Sequence, residues 1–544
     1  MVVDPSTGTI EVRDLAIKDG KVFSFHAVPA AQVIDLSGLY VAPGLIDSHL
    51  HLEGLHLLPE AYARAFLAHG TTAIVTDLHE IANAGGIQGL AWYLRLLEDL
   101  PLDVFVMAPS SVPSCPFEKG AGTIGIKELR RLKRMDAVIG LGEVMNIPGV
   151  QERDPALMRK IGLFSGKPVD GHAPRLRGAA LARYLSAGIY SDHETTDLEE
   201  GHEKLRLGMH LFLRMGSASR DLERLVPLIE PRTIPQLSLC TDDLSTRDLA
   251  DHGHIDHLVR YLVERGVSLP DALKLATVSA AQYFGLADRD RIAVGKRADF
   301  VVFDGPKSLG VKMVIKDGRV VFREGDALWQ EPKAAGSAAG DWRMADVDMA
   351  RLPQRAKGNR IHVAEVAEGT LITGHLVEDA SVVDGFLAAD PDRGLCLAYA
   401  FDRYRADPGF GFGFVKGFSI CGGALGTTYT HDSHNVVVVG DNVVDIFTVL
   451  ACLKAEKGGM AAARNGRIEA FIPMPYYGII SALSGEEFLR REGSLAESMR
   501  NMGVRRGNAF FQLSFLSLPV IPSLRLTTRG LFDVMTARYI EANE

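Results

Sequence analysis

Short apolar runs, most of them carrying His, Asp or Glu near the end, recur from residue 45 to residue 243. Eight can be traced: LIDSHLHLE, TTAIVTD, DVFVMAP, AVIGLGEV, KPVDGHAP, GIYSDHE, HLFLRMG and LSLCTDD. Between them lie stretches with apolar positions at helical spacing, such as PEAYARAFLAH, IKELRRLKR, ALARYLSAG and DLERLVPLIE. Strands alternating with helices predict a parallel sheet. The span 46–290 is close to the ~250 residues typical of an eight-fold β/α barrel. The fold class expected is therefore α/β, built on a (β/α)8 barrel.

Both flanks of this span read as short strands and turns. Residues 1–45 contain EVRDLAIKDGKVFSFH, and 291–330 contain VKMVIKDGRVVFREG, so each carries a KDG(K/R)V piece. Two similar pieces around a larger unit predict one small β-domain assembled from both sides. Residues 331–355, rich in Ala, Gly and Asp, read as a linker. Residues 356–544 read as an additional α/β or α+β domain, with strands at RIHVAEVAE, HNVVVVG and NAFFQLSFLSLPVI and helices at DIFTVLACLKAE and SGEEFLRREGSLAESMRNMG.

Composition narrows the classes. The chain has 544 residues, 47% hydrophobic and 23% charged, which excludes disorder as the main state. A net charge of −9, with no dense basic run, argues against a nucleic-acid partner. No apolar run approaches the ~18 residues of a membrane span, and the first residues lack a secretory pattern. Five scattered cysteines with no CxxC suit a reducing cytoplasm.

The candidate chemistry sits at the strand ends, which form the active-site face of such barrels. His49 and His51 are two residues apart on a strand, so both imidazoles point the same way and reach one metal ion. Other strand ends supply Glu143, His172, His193 and Asp242. Four imidazoles and two carboxylates suit two divalent ions of the Zn, Fe or Mn type, with a bridging carboxylate that sharpens a trapped water. Asp242 is either a ligand alone or also the general acid/base that moves the water proton. Glu194 either faces the substrate or caps a helix. His79 and Glu80, in DLHE, are candidates for substrate contact, as are Glu53, Asp243, His431 and His434. The loop THDSHN either folds over the barrel mouth or is a polar turn.

Several patterns carry less. Gly120 to Gly125 matches GxGxxG but follows no strand, so it reads as a loop. His51-Leu52-Glu53 imitates the HxE of zinc nucleobase deaminases, but no PCxxC completes it. DHGHIDH, with His252, His254 and His257, reads as a helix start near the rim.

PGLIDSHLHLE is similar to the opening of the amidohydrolase superfamily. The pieces HGTTAIVTDLHEIAN, GLGEVMNIPGV, DGHAP, GIYSDHETTDLEEGHEKLRLGM, CTDD, HGHIDHLVR, AAQYFGL, GFVKGF, HDSHNVVVVG and SFLSLPVIP resemble the metal-dependent, bacterial type of adenine deaminase, from about residue 11 to about 535. The resemblance implies the barrel, the small β-domain and the C-terminal domain. It also implies two divalent metals, Mn or Fe first and Zn as an alternative, held by His49, His51, Glu143, His172, His193 and Asp242. Glu143 stands where many superfamily members carry a carboxylated lysine. The implied reaction is attack of a metal-bridged hydroxide on C6 of adenine, giving hypoxanthine and ammonia. Asp242 would carry the proton to the amine, and Glu194 would protonate a ring nitrogen.

Two departures stand out. Gly54-Leu55-His56 replaces the usual Ser-Ser-Met, which bears on substrate choice. The chain also begins late relative to the family, so either the small β-domain lacks a strand or the recorded start is internal. Competing readings keep the barrel but change the substrate to an N6-substituted adenine, another aminopurine or a cyclic amide, or drop catalysis for a scaffold role. The complete ligand set speaks against the scaffold. A homo-oligomer, dimer or tetramer, is the base-rate expectation.

Overall fold

The computed structural model describes residues 1–329, 340, 342–367, 370–407, 409–505 and 509–544. All eight barrel strands form: Leu45–Leu50, Thr71–Asp77, Asp103–Ala108, Val138–Val144, Val169–Gly171, Ser191–Asp192, His210–Arg214 and Leu237–Cys240. Their ladders are parallel. The first and last strands meet in a parallel bridge between Leu50 and Asp242. There the Asp242 N–H donates to the His49 carbonyl at 2.9 Å.

Below the site the barrel is filled with apolar side chains, as its width requires. Ile46, Val75, Met107, Phe212 and Cys240 form one buried cluster with Ala280, Ala281 and Phe284 of the helix Val278–Phe284. The first strand carries a bulge. Asp47 pairs with Ile74 and Leu50 with Thr76, so three steps on one strand match two on its neighbour. A bulge re-aims side chains. Here Ile46 joins the apolar floor while His49 and His51, higher up, also face the barrel interior.

A seven-stranded sheet draws on both flanks of the barrel. Tyr40–Pro43 lies antiparallel to Phe300–Phe303 at its centre. The repeated KDG pieces are two-residue hairpin turns. Asp19 and Gly20 have φ of 51° and 73°, and Asp317 and Gly318 have 50° and 73°. This is the doubly left-handed geometry that Asp-Gly supplies.

The C-terminal residues build an eight-stranded sheet running from Thr373–Asp379 at one edge to Arg467–Pro473 at the other. One pair, Arg360–Val366 with Phe410–Lys416, is parallel and its other ladders are antiparallel. With Val443–Ala455 and Gly485–Asn501 as helices, this part is α+β. Of the expected linker, 331–339 and 341 lie outside the described residues. Beyond them Trp342, Met344 and Leu352 pack into the core of this sheet.

One expected strand is a helix. NAFFQLSFLSLPVI forms the helix Ala509–Phe515 followed by turns. Ala509 and Leu513, four apart, both enter the buried core, so the apolar run is satisfied by a 3.6-residue period rather than by alternation. Among the described residues, no helix is long and apolar enough to cross a membrane.

Candidate metal centre

The six expected ligand residues converge. His49, His51 and Glu143 form one triad, His49, His193 and Asp242 a second, and Glu143, His172 and His193 a third. Within each, the ligand atoms lie within 4.8 Å of one another. Glu143 is shared. Its Oε1 is 3.4 Å from His51 Nε2, and its Oε2 is 2.6 Å from His172 Nδ1 and 3.4 Å from His193 Nε2. Asp242 Oδ1 lies 3.1 Å from His51 Nε2 and 3.6 Å from His49 Nε2. One carboxylate thus stands between two groups of imidazoles, and the other closes the first group.

The donor chemistry fits divalent ions. Neither ring nitrogen of buried His49 has a hydrogen-bond partner among the described residues, and His193 Nδ1 also lacks one. Unpaired buried imidazole nitrogens are costly, and cation ligation is the use that satisfies them.

A shell of polar groups holds these candidate ligands in place, as a metal site would require. Asp77, at the end of the second strand, works on both halves. Its carbonyl is 3.1 Å from His51 Nδ1, and its Oδ2 accepts the Glu143 N–H at 2.9 Å. Gly142 leaves room for this contact: a Cβ there would stand 1.9 Å from Asp77 Oδ2. Tyr184 OH accepts the His172 N–H at 3.0 Å and donates to the Val144 carbonyl at 2.7 Å. His254, of the rim segment, is fully buried with Nε2 3.0 Å from Asp47 Oδ2 and steadies the strand that bears His49.

Sequence reasoning missed Arg214. It ends the seventh strand and is buried. Its Nη1 donates to Asp242 Oδ2 at 2.7 Å and to Glu194 Oε1, while Nη2 donates to Glu194 Oε2 at 3.1 Å. Burial alone would raise the Glu194 carboxyl, but Arg214 with His172 and His193 holds it below the usual range. At rest Glu194 is an acceptor, and the donor role expected of it requires that it first take a proton. The signal was visible: six of the eight strand runs carry His, Asp or Glu near their ends, while HLFLRMG carries an arginine there.

The loop THDSHN closes over the barrel. His431 Nδ1 meets Glu80 Oε1, and His434 Nε2 is 2.6 Å from Glu80 Oε2. Burial opposes the charge on Glu80, yet His431, His434 and His79 hold its carboxyl well below the ordinary value. His79, Glu80 and Asp432 also bring ligand atoms within 4.8 Å of one another, as do Asp77, His79 and Glu143. Glu53 is fully buried; burial pushes its carboxyl up to about 7, and Oε1 accepts the Ile81 N–H at 2.9 Å. Asp243 is raised to about 6 by burial and by neighbouring Asp242.

A cavity of about 660 Å³ opens beside these groups, between the barrel rim and the C-terminal part. Asp243, Tyr429 and His431 line its polar side, and Phe488, Phe510 and Phe511 its apolar side. Gly54 and His56 also line it. Tyr429, Phe510 and Phe511 were not foreseen, because only the docking of a distant sheet brings them here.

Comparisons with known proteins agree with this geometry. The amidohydrolase family matches residues 40–321. The adenine deaminase C-terminal domain matches residues 370–538. An adenine deaminase of Nitratidesulfovibrio vulgaris is 40% identical over 98% of this chain and 94% of its own. One of Methanoculleus marisnigri is 41% identical over 96% of this chain and 98% of its own. The chain belongs to the adenine deaminase family of amidohydrolases. A solved β-aspartyl dipeptidase of Fervidobacterium islandicum AW-1 is 20% identical, with a TM-score of 0.45 over 60% of this chain and 97% of its own. The family is metal-dependent, and the triads above are its candidate metal-binding groups in this chain.

Proposed function

We propose that this protein hydrolyses adenine to hypoxanthine and ammonia. The observation that carries the reading is the match to adenine deaminases over nearly the full length of both chains. Two divalent ions, Mn or Fe, are the cofactors we assign, with His49, His51, Glu143, His172, His193 and Asp242 as the ligands. When bound, such ions bring the pKa of a water toward neutrality and so supply the nucleophile.

The chain's own residues do the rest. Glu143 spans the two imidazole groups and keeps them at fixed separation. Asp242 takes the proton of the attacking water and delivers it to the leaving amine, a transfer that contributes ~10²–10⁴-fold. Glu194, ionised by Arg214, faces the purine ring nitrogens. Asp243, Glu53 and His431 offer polar contacts to the ring, while His79, Glu80 and His434 anchor the closing loop and exclude water.

A second reading has one observation in its favour. A cavity of about 660 Å³ lies within the ~300–1,000 Å³ that accepts a drug-sized ligand, so an aminopurine with an apolar substituent also fits. Ammonia release from a panel of purines by enzyme reconstituted with Mn(II) or Fe(II) tests both. Turnover of adenine supports the first reading, and its absence from a metal-replete enzyme overturns it. Chelation should abolish the activity and the same ions should restore it.

For organisation, we assign 1–45 with 291–330 to the small β-domain and 46–290 to the barrel, and we extend the C-terminal domain from the expected 356–544 back to Trp342, because Trp342, Met344 and Leu352 pack into its core. The five free cysteines support placement in the reducing cytoplasm. We assign a symmetric homo-oligomer on the behaviour of enzymes of this size, for which light scattering is the test.

A further inference from the structure

We propose that Arg214 is a positioning residue that fixes the rotation of the Asp242 and Glu194 carboxylates together. The inference rests on the reading of Asp242 as the proton carrier.

The two oxygens of Asp242 have different surroundings. Oδ1 looks toward His51 and His49, 3.1 and 3.6 Å from their Nε2 atoms. Oδ2 accepts a hydrogen bond from Arg214 Nη1 at 2.7 Å. A guanidinium is a donor with no acceptor capacity, so it pins Oδ2 as an acceptor on the side away from the imidazoles. Oδ1 is thereby kept turned toward the imidazoles and the reacting centre.

The guanidinium itself is held from behind. Asp221 Oδ2 accepts from Arg214 Nε at 3.1 Å and Nη2 at 2.7 Å, and Ser219 Oγ donates to the same oxygen at 2.7 Å. On the inner side, Nη1 and Nη2 also grip Glu194. A planar fork with partners on both edges fixes orientation in a way a flexible ammonium does not. One arginine thus sets the rotation of the proton carrier and of the carboxylate assigned to the purine together. Asp242 has a backbone φ of 60°, so its main chain is also held in a sparsely populated region that its surroundings must enforce.

The test uses metal-reconstituted full-length enzyme with adenine, measuring kcat, KM and metal content together. Arg214→Ala should lower kcat about 100-fold, the scale of a misplaced catalytic group, with KM changed only a few-fold and metal content unchanged. Millimolar guanidinium should restore part of the lost kcat of Arg214→Ala, and none of that of Asp242→Asn. Near-normal kcat in Arg214→Ala, or a loss that guanidinium leaves untouched in a folded, metal-replete variant, would overturn the proposal. Should Arg214→Ala fail to fold, Asp221→Asn keeps the guanidinium and loosens its outer tether. It should cost kcat several-fold with KM held, and an unchanged kcat there also overturns the proposal. The control Asp242→Asn separates the two ideas. If it retains turnover, the proton-carrier reading itself is wrong. If it is inactive while the Arg214 and Asp221 variants behave as wild type, only the role of Arg214 is.

Discussion

His51 and Asp242 meet twice, at the seam where the barrel closes. The His51 backbone N–H donates to the Asp242 carbonyl at 3.2 Å, and the His51 ring stands 3.1 Å from Asp242 Oδ1. Barrel closure and site assembly coincide here, because the bridge that joins the first and last strands also sets a candidate ligand against the residue proposed to carry the proton. Replacing the carboxylate by an amide keeps the shape and the seam but removes the base. Asp242→Asn should therefore bind metal as before, by elemental analysis, while ammonia release falls by ~10²–10⁴-fold. Wild-type rates in that variant would exclude the assigned role.

Lys204 supports the opposite side of the site from within the core. Its ammonium is fully buried, 2.8 Å from Asp192 Oδ2, 2.5 Å from Glu200 Oε1 and 2.8 Å from the Ala173 carbonyl. Asp192 Oδ1 in turn accepts the Ala173 N–H at 2.7 Å. The cluster thereby ties the chain next to His172 to the chain next to His193. Lys204→Met leaves two buried carboxylates without their cation, which should cost ~3–5 kcal/mol of stability. Denaturant unfolding of the apo and metal-loaded variant is the check. A loss under 1 kcal/mol would place this pair among ordinary surface bridges.

Much of this centre was legible in the chain because strand chemistry is local. His49 and His51 declare themselves by their spacing of two, and Glu143, His172, His193 and Asp242 by closing apolar runs. The KDG pieces likewise carry their turn type in their residues. What stayed hidden depends on distant contacts. Arg214 is conspicuous only once Glu194 and Asp242 are seen around it. Phe510 and Phe511 sit in a run whose apolar density reads equally as strand or helix, and docking against the C-terminal core decides for helix.

Gly142 offers a sharper check on the support of the ligands. Any side chain at this position meets Asp77, since a Cβ would lie 1.9 Å from Oδ2 and 2.5 Å from Cγ. Gly142→Ala should push Asp77 off the Glu143 N–H and disturb its carbonyl beside His51 Nδ1. Metal retention after dialysis should drop, and thermal stability should fall by the ~1–3 kcal/mol typical of an overpacked core. Full metal retention with an unchanged melting point would show that Asp77 adjusts freely.

Gly54 tests how the cavity selects its substrate. A Cβ here would stand 3.6 Å from Tyr429 Oη, 3.7 Å from the Leu244 carbonyl and 3.8 Å from Asp243 Oδ1, all ordinary contact distances. Gly54→Ser should thus fold normally, within about 0.5 kcal/mol of the parent, while narrowing the cavity beside its polar wall. A bare purine needs only the inner part, whereas a substituent must use the space that the serine takes. The kcat/KM ratio of an N6-alkylated adenine to adenine should fall by ~10-fold, the scale of one methylene-sized steric change in a pocket. If both substrates decline equally, Gly54 governs access rather than selection. If neither changes, the substrate lies elsewhere in the cavity, away from Gly54.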